Sequence, residues 1–105
     1  MSVTRLTEGQ NERLALLLEE CGEVIQIIGK IQRHGLFSSD PTKPGGPDNQ
    51  DLLAQEIADV VQAIDLLAAA KDINTTMVEV RLKRRWITVQ KYLHFQPEEL
   101  FRDKP

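Results

Sequence analysis

The chain has 105 residues, 41% hydrophobic and 28% charged, the balance of one soluble globular domain. A formal net charge of −3, with acids and bases mixed along the chain, argues against a nucleic-acid-binding domain held by charge. No apolar run approaches the roughly 20 residues that span a bilayer, no signal-like apolar segment opens the chain, and the single cysteine, Cys21, excludes an internal disulfide framework. The expectation is a cytoplasmic protein with neither a membrane nor a nucleic-acid partner.

Residues 1–6 read as a lead-in. Thr7 and Gln10 have the spacing of a capping box, which starts a helix near Glu8. From there Leu14, Leu17, Leu18, Cys21, Val24, Ile25, Ile28 and Ile31 recur at three- and four-residue steps, the helical period. Cys21 lies on this stripe, so it is expected to be a buried thiol rather than a nucleophile. A second stripe, Leu16, Glu20, Glu23 and Ile27, runs beside the first. A helix apolar on two adjoining faces is wrapped on both, in a bundle interior or a subunit interface. It should end near His34, with Gly35 as a left-handed cap.

Residues 36–48 hold three prolines and two glycines and are expected to form a loop without regular structure, a connector or a flap. Asp48 or Asn49 can cap a second helix whose stripe is Leu53, Ile57, Val60, Val61, Ile64, Leu67 and Ala68. This helix should end near Lys71, before a short turn at 72–74. Thr76 with Glu79 suggests another capping box, and a third helix follows with Val78, Leu82, Trp86, Val89 and Leu93 on one side. Pro97 bars its continuation, and Leu100 and Phe101 in the tail could dock on the bundle or on a partner. The predicted fold is all-α: an antiparallel helical bundle in a single domain, 1–105, with helices about 8–34, 49–71 and 76–95 and a short C-terminal turn. Three helices with such broad apolar faces are too few to cover one another, so a homodimer or homotetramer should complete the bundle.

The acids on these helices carry the chemistry. Glu20 and Glu23 are three residues apart on the first helix, and Glu56 and Asp59 are three apart on the second. Residues at that spacing share a helix side. Ionised carboxylates on apolar faces are costly unless paired or bound to a metal. Two such pairs facing each other would present hard oxygen ligands to Mg²⁺ or Mn²⁺. Zinc is disfavoured because neither His34 nor His94 is at a ligand spacing, and a di-iron centre because no Glu-x-x-His motif is present. Carboxylate-bound Mg²⁺ commonly binds phosphate oxygens too, and Lys30, Arg33, Lys83, Arg84 and Arg85 could hold them. The opposing reading makes Glu20 and Glu23 salt-bridge partners of Lys83, Arg84 or Arg85 on the third helix, or leaves Glu19 and Glu23 as solvated helix-face acids. The GGP at 45–47 lacks the lysine and helix of a Walker loop and is a turn signal.

At these residues the sequence resembles the MazG-like, all-α nucleoside triphosphate pyrophosphohydrolases. The family motif, Glu-Glu-x-x-Glu followed on the next helix by Glu-x-x-Asp, reads here Glu19-Glu20-Cys21-Gly22-Glu23 and Glu56-Ile57-Ala58-Asp59. The resemblance spans about residues 10–93. It implies a helical dimer or tetramer that binds Mg²⁺ and cleaves an NTP or dNTP between its α and β phosphates, giving the monophosphate and pyrophosphate. It also implies that Glu20, Glu23, Glu56 and Asp59 are metal ligands, that Glu19 orients or deprotonates water, and that Lys83 or Arg84 is the later basic residue. Glu20 and Glu23 then serve the chemistry as well as the metal. Two alternatives stay open: a related enzyme acting on a phosphoribosyl-nucleotide, and a non-catalytic helical assembly module whose acids form interhelix salt bridges.

Overall fold

A computed structural model describes residues 3–102, and among these the chain is all-α, as expected. The helices are α1, Glu8–His34; α2, Asn49–Ala69; and α3, Thr75–Val89. Two short 3₁₀ turns, Gln90–Tyr92 and Glu98–Phe101, follow. Among the described residues there is no strand, only an isolated antiparallel bridge between Ser39 and Asp48. The chain divides into two compact units, Met1–Asp72 and Ile73–Pro105.

In the first unit α1 and α2 form an antiparallel hairpin. Arg13, early in α1, meets Asp72, just beyond α2, while the Gly35 carbonyl at the end of α1 accepts a hydrogen bond from Asn49 Nδ2 at the start of α2. The start of α1 is set by the expected box: the Thr7 hydroxyl accepts from Gln10 N–H, and Gln10 Oε1 accepts from Thr7 N–H. Its end is at Gly35, though not in the left-handed helical form. Gly35 has φ 91° and ψ 166°, a positive φ with extended ψ that turns the chain sharply into the loop.

Of the two stripes of α1 expected to be wrapped, the one with the carboxylates is turned inward within this chain. The less exposed positions are Gln10, Arg13, Leu16, Leu17, Glu20, Glu23, Val24, Ile27, Gly29, Lys30 and Ile31, so the stripe with the carboxylates forms the seam against α2. Much of the Leu14 stripe stays open: Leu18 is 77% and Ile25 71% exposed. Cys21 is exposed too, which corrects the expected buried thiol. On α2 the seam is Asn49, Leu52, Leu53, Glu56, Val60, Ala63 and Leu67, while Ile57, Val61 and Ile64 face outward. Apolar periodicity located each helix and both stripes, and the carboxylate stripe is the one the hairpin itself encloses.

The 36–48 loop is also more ordered than expected. Asn49 N–H donates to the Ser38 carbonyl at 2.9 Å and Gln50 N–H to the Leu36 carbonyl at 2.8 Å, beside the Ser39–Asp48 bridge. Asp48 caps α2 through its Oδ1, which accepts from Asp51 N–H at 2.9 Å. The first three N–H groups of α2 therefore already have partners.

In the second unit Asn74, not Thr76, caps α3, because its Oδ1 reaches Met77 N–H at 3.1 Å. The α-helix ends at Val89 and not near Phe95. The run Ile87-Thr88-Val89 is β-branched, the Thr88 hydroxyl bonds back to the Arg85 carbonyl, and the chain tightens to a 3₁₀ turn before Leu93 becomes extended. Phe101 packs on Trp86 with ring centroids 5.4 Å apart, and the Arg85 guanidinium lies 5.4 Å from the centre of the Tyr92 ring. The expected tail docking is thus made by Phe101 on α3. Among the described residues no helix is long and apolar enough to cross a membrane.

Candidate metal centre

The middle of the α1–α2 seam is acidic. Glu20, Glu23, Glu56 and Asp59 each offer a carboxylate oxygen, and these atoms all lie within 4.8 Å of one another. Glu20, Glu23 and Glu56 are half-buried and Asp59 is exposed. The antiparallel hairpin makes this possible: a pair three residues apart on each helix points into the same seam. The apolar neighbours Leu16, Ile27, Val60 and Ala63 hold the helices close enough for the pairs to meet.

Such crowding has electrostatic consequences. The Glu56 carboxyl is raised from 4.5 to about 7, first by its hydrogen bond with Glu23, then by burial, then by the charges of Glu23, Asp59 and Glu20. Glu20 is raised as well, mainly by burial and next by the charges of Glu23 and Asp59. One oxygen of each, Glu20 Oε2 and Glu56 Oε2, is buried without a hydrogen-bond partner. Within residues 3–72 the ion pair is Arg13–Asp72, and no cation pairs with the cluster. Unpartnered, mutually repelling carboxylate oxygens in one small volume are the donor set a cation needs, so these four residues could hold a metal ion.

A cleft of about 390 Å³ opens beside the cluster, lined by Glu23, Gln26, Ile27, Lys30, Arg33, Leu52 and Glu56. The structure therefore brings Lys30 and Arg33 to the acids. Gln26 was not anticipated, yet Glu23, Gln26, Lys30 and Arg33 step by three and four residues along one side of α1. Extending the helical count from Glu23 would have found it. Glu19 is exposed and stands outside the four-carboxylate cluster, though its charge adds to the rise at Glu20. Lys83 and Arg84 are exposed on α3, in the second unit, whereas the acids belong wholly to the first.

No protein-family model matches this chain, and no curated protein or solved structure is significantly similar to it.

Proposed function

We propose that the α1–α2 hairpin is the active site of a Mg²⁺-dependent nucleoside triphosphate pyrophosphohydrolase, which converts an NTP or dNTP to its monophosphate and pyrophosphate. The observation that carries this reading is the four-carboxylate cluster opening directly onto a cleft with Lys30 and Arg33. Acids that hold a cation beside bases that hold anions suit a metal-bound polyphosphate. The all-carboxylate donor set favours a hard ion, Mg²⁺ or Mn²⁺. Bound there, the ion would neutralise phosphate charge and make water more acidic.

Glu20, Glu23, Glu56 and Asp59 hold the ion in this reading. Glu19 is exposed, and in this reading it accepts a proton from the attacking water. Lys30 and Arg33 neutralise the phosphates, and Lys83 and Arg84 are further candidates for that role. A second copy of the chain completes the fold. Among the described residues the buried apolar side chains are only Ile27, Ala63 and Leu67, and burying a large one contributes about 1.5–3 kcal/mol. The open faces of α1 and α2 are the natural place for the missing contacts.

The test is pyrophosphate release from a panel of NTPs, dNTPs and phosphoribosyl-nucleotides with Mg²⁺. Turnover of a free triphosphate that is lost in Glu23→Gln supports the reading. Turnover of a phosphoribosyl-nucleotide alone would move the substrate class, and inertness towards the whole panel would sink the hydrolase.

A further inference from the structure

The 36–48 loop presents a residue that the acidic motif does not include. A second cleft, of about 160 Å³, is lined by Lys30, Asp40, Lys43, Gly46, Pro47 and Leu52. It shares Lys30 and Leu52 with the cleft beside the acids, so the two adjoin, one towards mid-hairpin and one at the loop. Lys43 stands where two turns meet. Its N–H donates to the Asp40 carbonyl at 3.1 Å, and its own carbonyl accepts from Gly46 N–H at 3.0 Å. The second turn, Lys43-Pro44-Gly45-Gly46, has Pro second and a glycine with φ 77° third, the pattern of a type II turn. The one acid in this cleft, Asp40, accepts through Oδ1 from the Thr42 N–H at 2.9 Å and hydroxyl at 2.7 Å, and those bonds, with the nearby charges of Lys43 and Lys30, hold its carboxyl below the ordinary value. Neither Lys30 nor Lys43 makes an ion pair among the described residues.

We propose that Lys43, acting with Lys30, binds the terminal phosphate of the substrate and makes the protein select triphosphates over diphosphates. This rests on the hydrolase reading above. The order along the hairpin is the argument: acids first, then Lys30 and Arg33, then Lys43. A polyphosphate anchored at the acids and running towards the loop places its last phosphate between the two lysines, where ammonium groups without an ion pair meet a doubly charged oxyanion. A diphosphate is one unit shorter and stops at Lys30 and Arg33. Lys43 is thus a specificity-determining residue supplied by a loop, independent of the metal ligands.

The experiment compares kcat and KM for an NTP and the matching NDP in wild type, Lys43→Ala and Lys43→Arg. Lys43→Ala should lower kcat/KM for the triphosphate about tenfold or more, mostly through KM, and leave the diphosphate within about threefold. Lys43→Arg should recover most of the loss, because it restores the charge. A general disturbance of the loop would lower both substrates together and would overturn the assignment, as would an unchanged NTP-to-NDP ratio. If wild type turned over neither nucleotide, the hydrolase reading would fail. Calorimetric titration with Mg²⁺ and inorganic tripolyphosphate then decides Lys43 alone: binding about tenfold weaker in Lys43→Ala supports it, and equal binding overturns it.

Discussion

Arg13 and Asp72, 59 residues apart in sequence, fasten the end of the α1–α2 hairpin opposite the loop: Arg13 Nε lies 2.6 Å from Asp72 Oδ2 and Nη2 3.2 Å from Oδ1. The two-point contact holds the Asp72 carboxyl below its ordinary 3.8 through the hydrogen bond from Arg13, with burial opposing it. An acid with a depressed folded value contributes stability above its unfolded value and loses it as pH falls through the folded one. Asp72→Asn should therefore melt a few degrees lower than wild type at pH 7, and the gap should close below pH 3.8. The partial exposure of Arg13 predicts that added salt narrows the gap. Circular-dichroism melts across pH and NaCl concentration check both points.

The acidic cluster predicts the opposite slope. Glu56 is raised from 4.5 to about 7, so the folded, metal-free protein binds its proton more tightly than the unfolded chain. That contribution is fully present below 4.5 and is lost as pH rises through about 7. Metal-free protein should therefore melt lower at pH 8 than at pH 5, and Mg²⁺ should recover the loss at pH 8, because a ligand of the folded state alone stabilises it. Glu56→Gln should flatten the metal-free pH slope and abolish the response to Mg²⁺. Calorimetric scans with EDTA and with Mg²⁺ give the comparison.

Under the proposed function, catalysis should depend differently on the four clustered acids and on Glu19. Glu20→Gln, Glu23→Gln, Glu56→Gln and Asp59→Asn should each lower kcat about a hundredfold or more, since each removes charge that would hold the ion. Glu19→Gln should spare Mg²⁺ affinity and change the pH profile of kcat, the mark of a proton acceptor rather than a ligand. Steady-state kinetics paired with Mg²⁺ titration separates the two classes.

The open apolar faces predict an assembly. Light scattering after size-exclusion chromatography should give a mass of at least two chains. Leu18→Glu and Ile25→Glu alter side chains that are 77% and 71% exposed in one chain, so they should leave helix content intact while lowering that mass. A monomeric wild type would remove the case for a second copy.

The sequence was most readable where residues punctuate the backbone. α1 runs from Glu8 to His34 as expected, because the Thr7–Gln10 box and Gly35 fix its ends. α3 was overextended because no glycine marks its end; β-branched residues and a hydroxyl back-bond stop it, and both are weaker signals. The acids could be grouped in advance since spacing fixes which share a side. How far the Leu14 stripe is covered could not be read, since burial depends on what packs against it. The glycines at 45–46 were legible as a turn signal, but the backbone bonds that tie the ends of 36–48 together carry no such residue signature.

The fastening of the loop at its base has a further consequence. Gln50 N–H to the Leu36 carbonyl, Asn49 N–H to the Ser38 carbonyl and the Ser39–Asp48 bridge tie both ends together before residues 40–47 depart. Asn49, 1% exposed, locks the tie to Gly35. What happens beyond that knot does not change the register of α1 against α2. The tip is therefore an exchangeable cassette: insertions or altered composition there leave the acids in their places, so under the proposed function recognition and metal chemistry would be free to diverge separately.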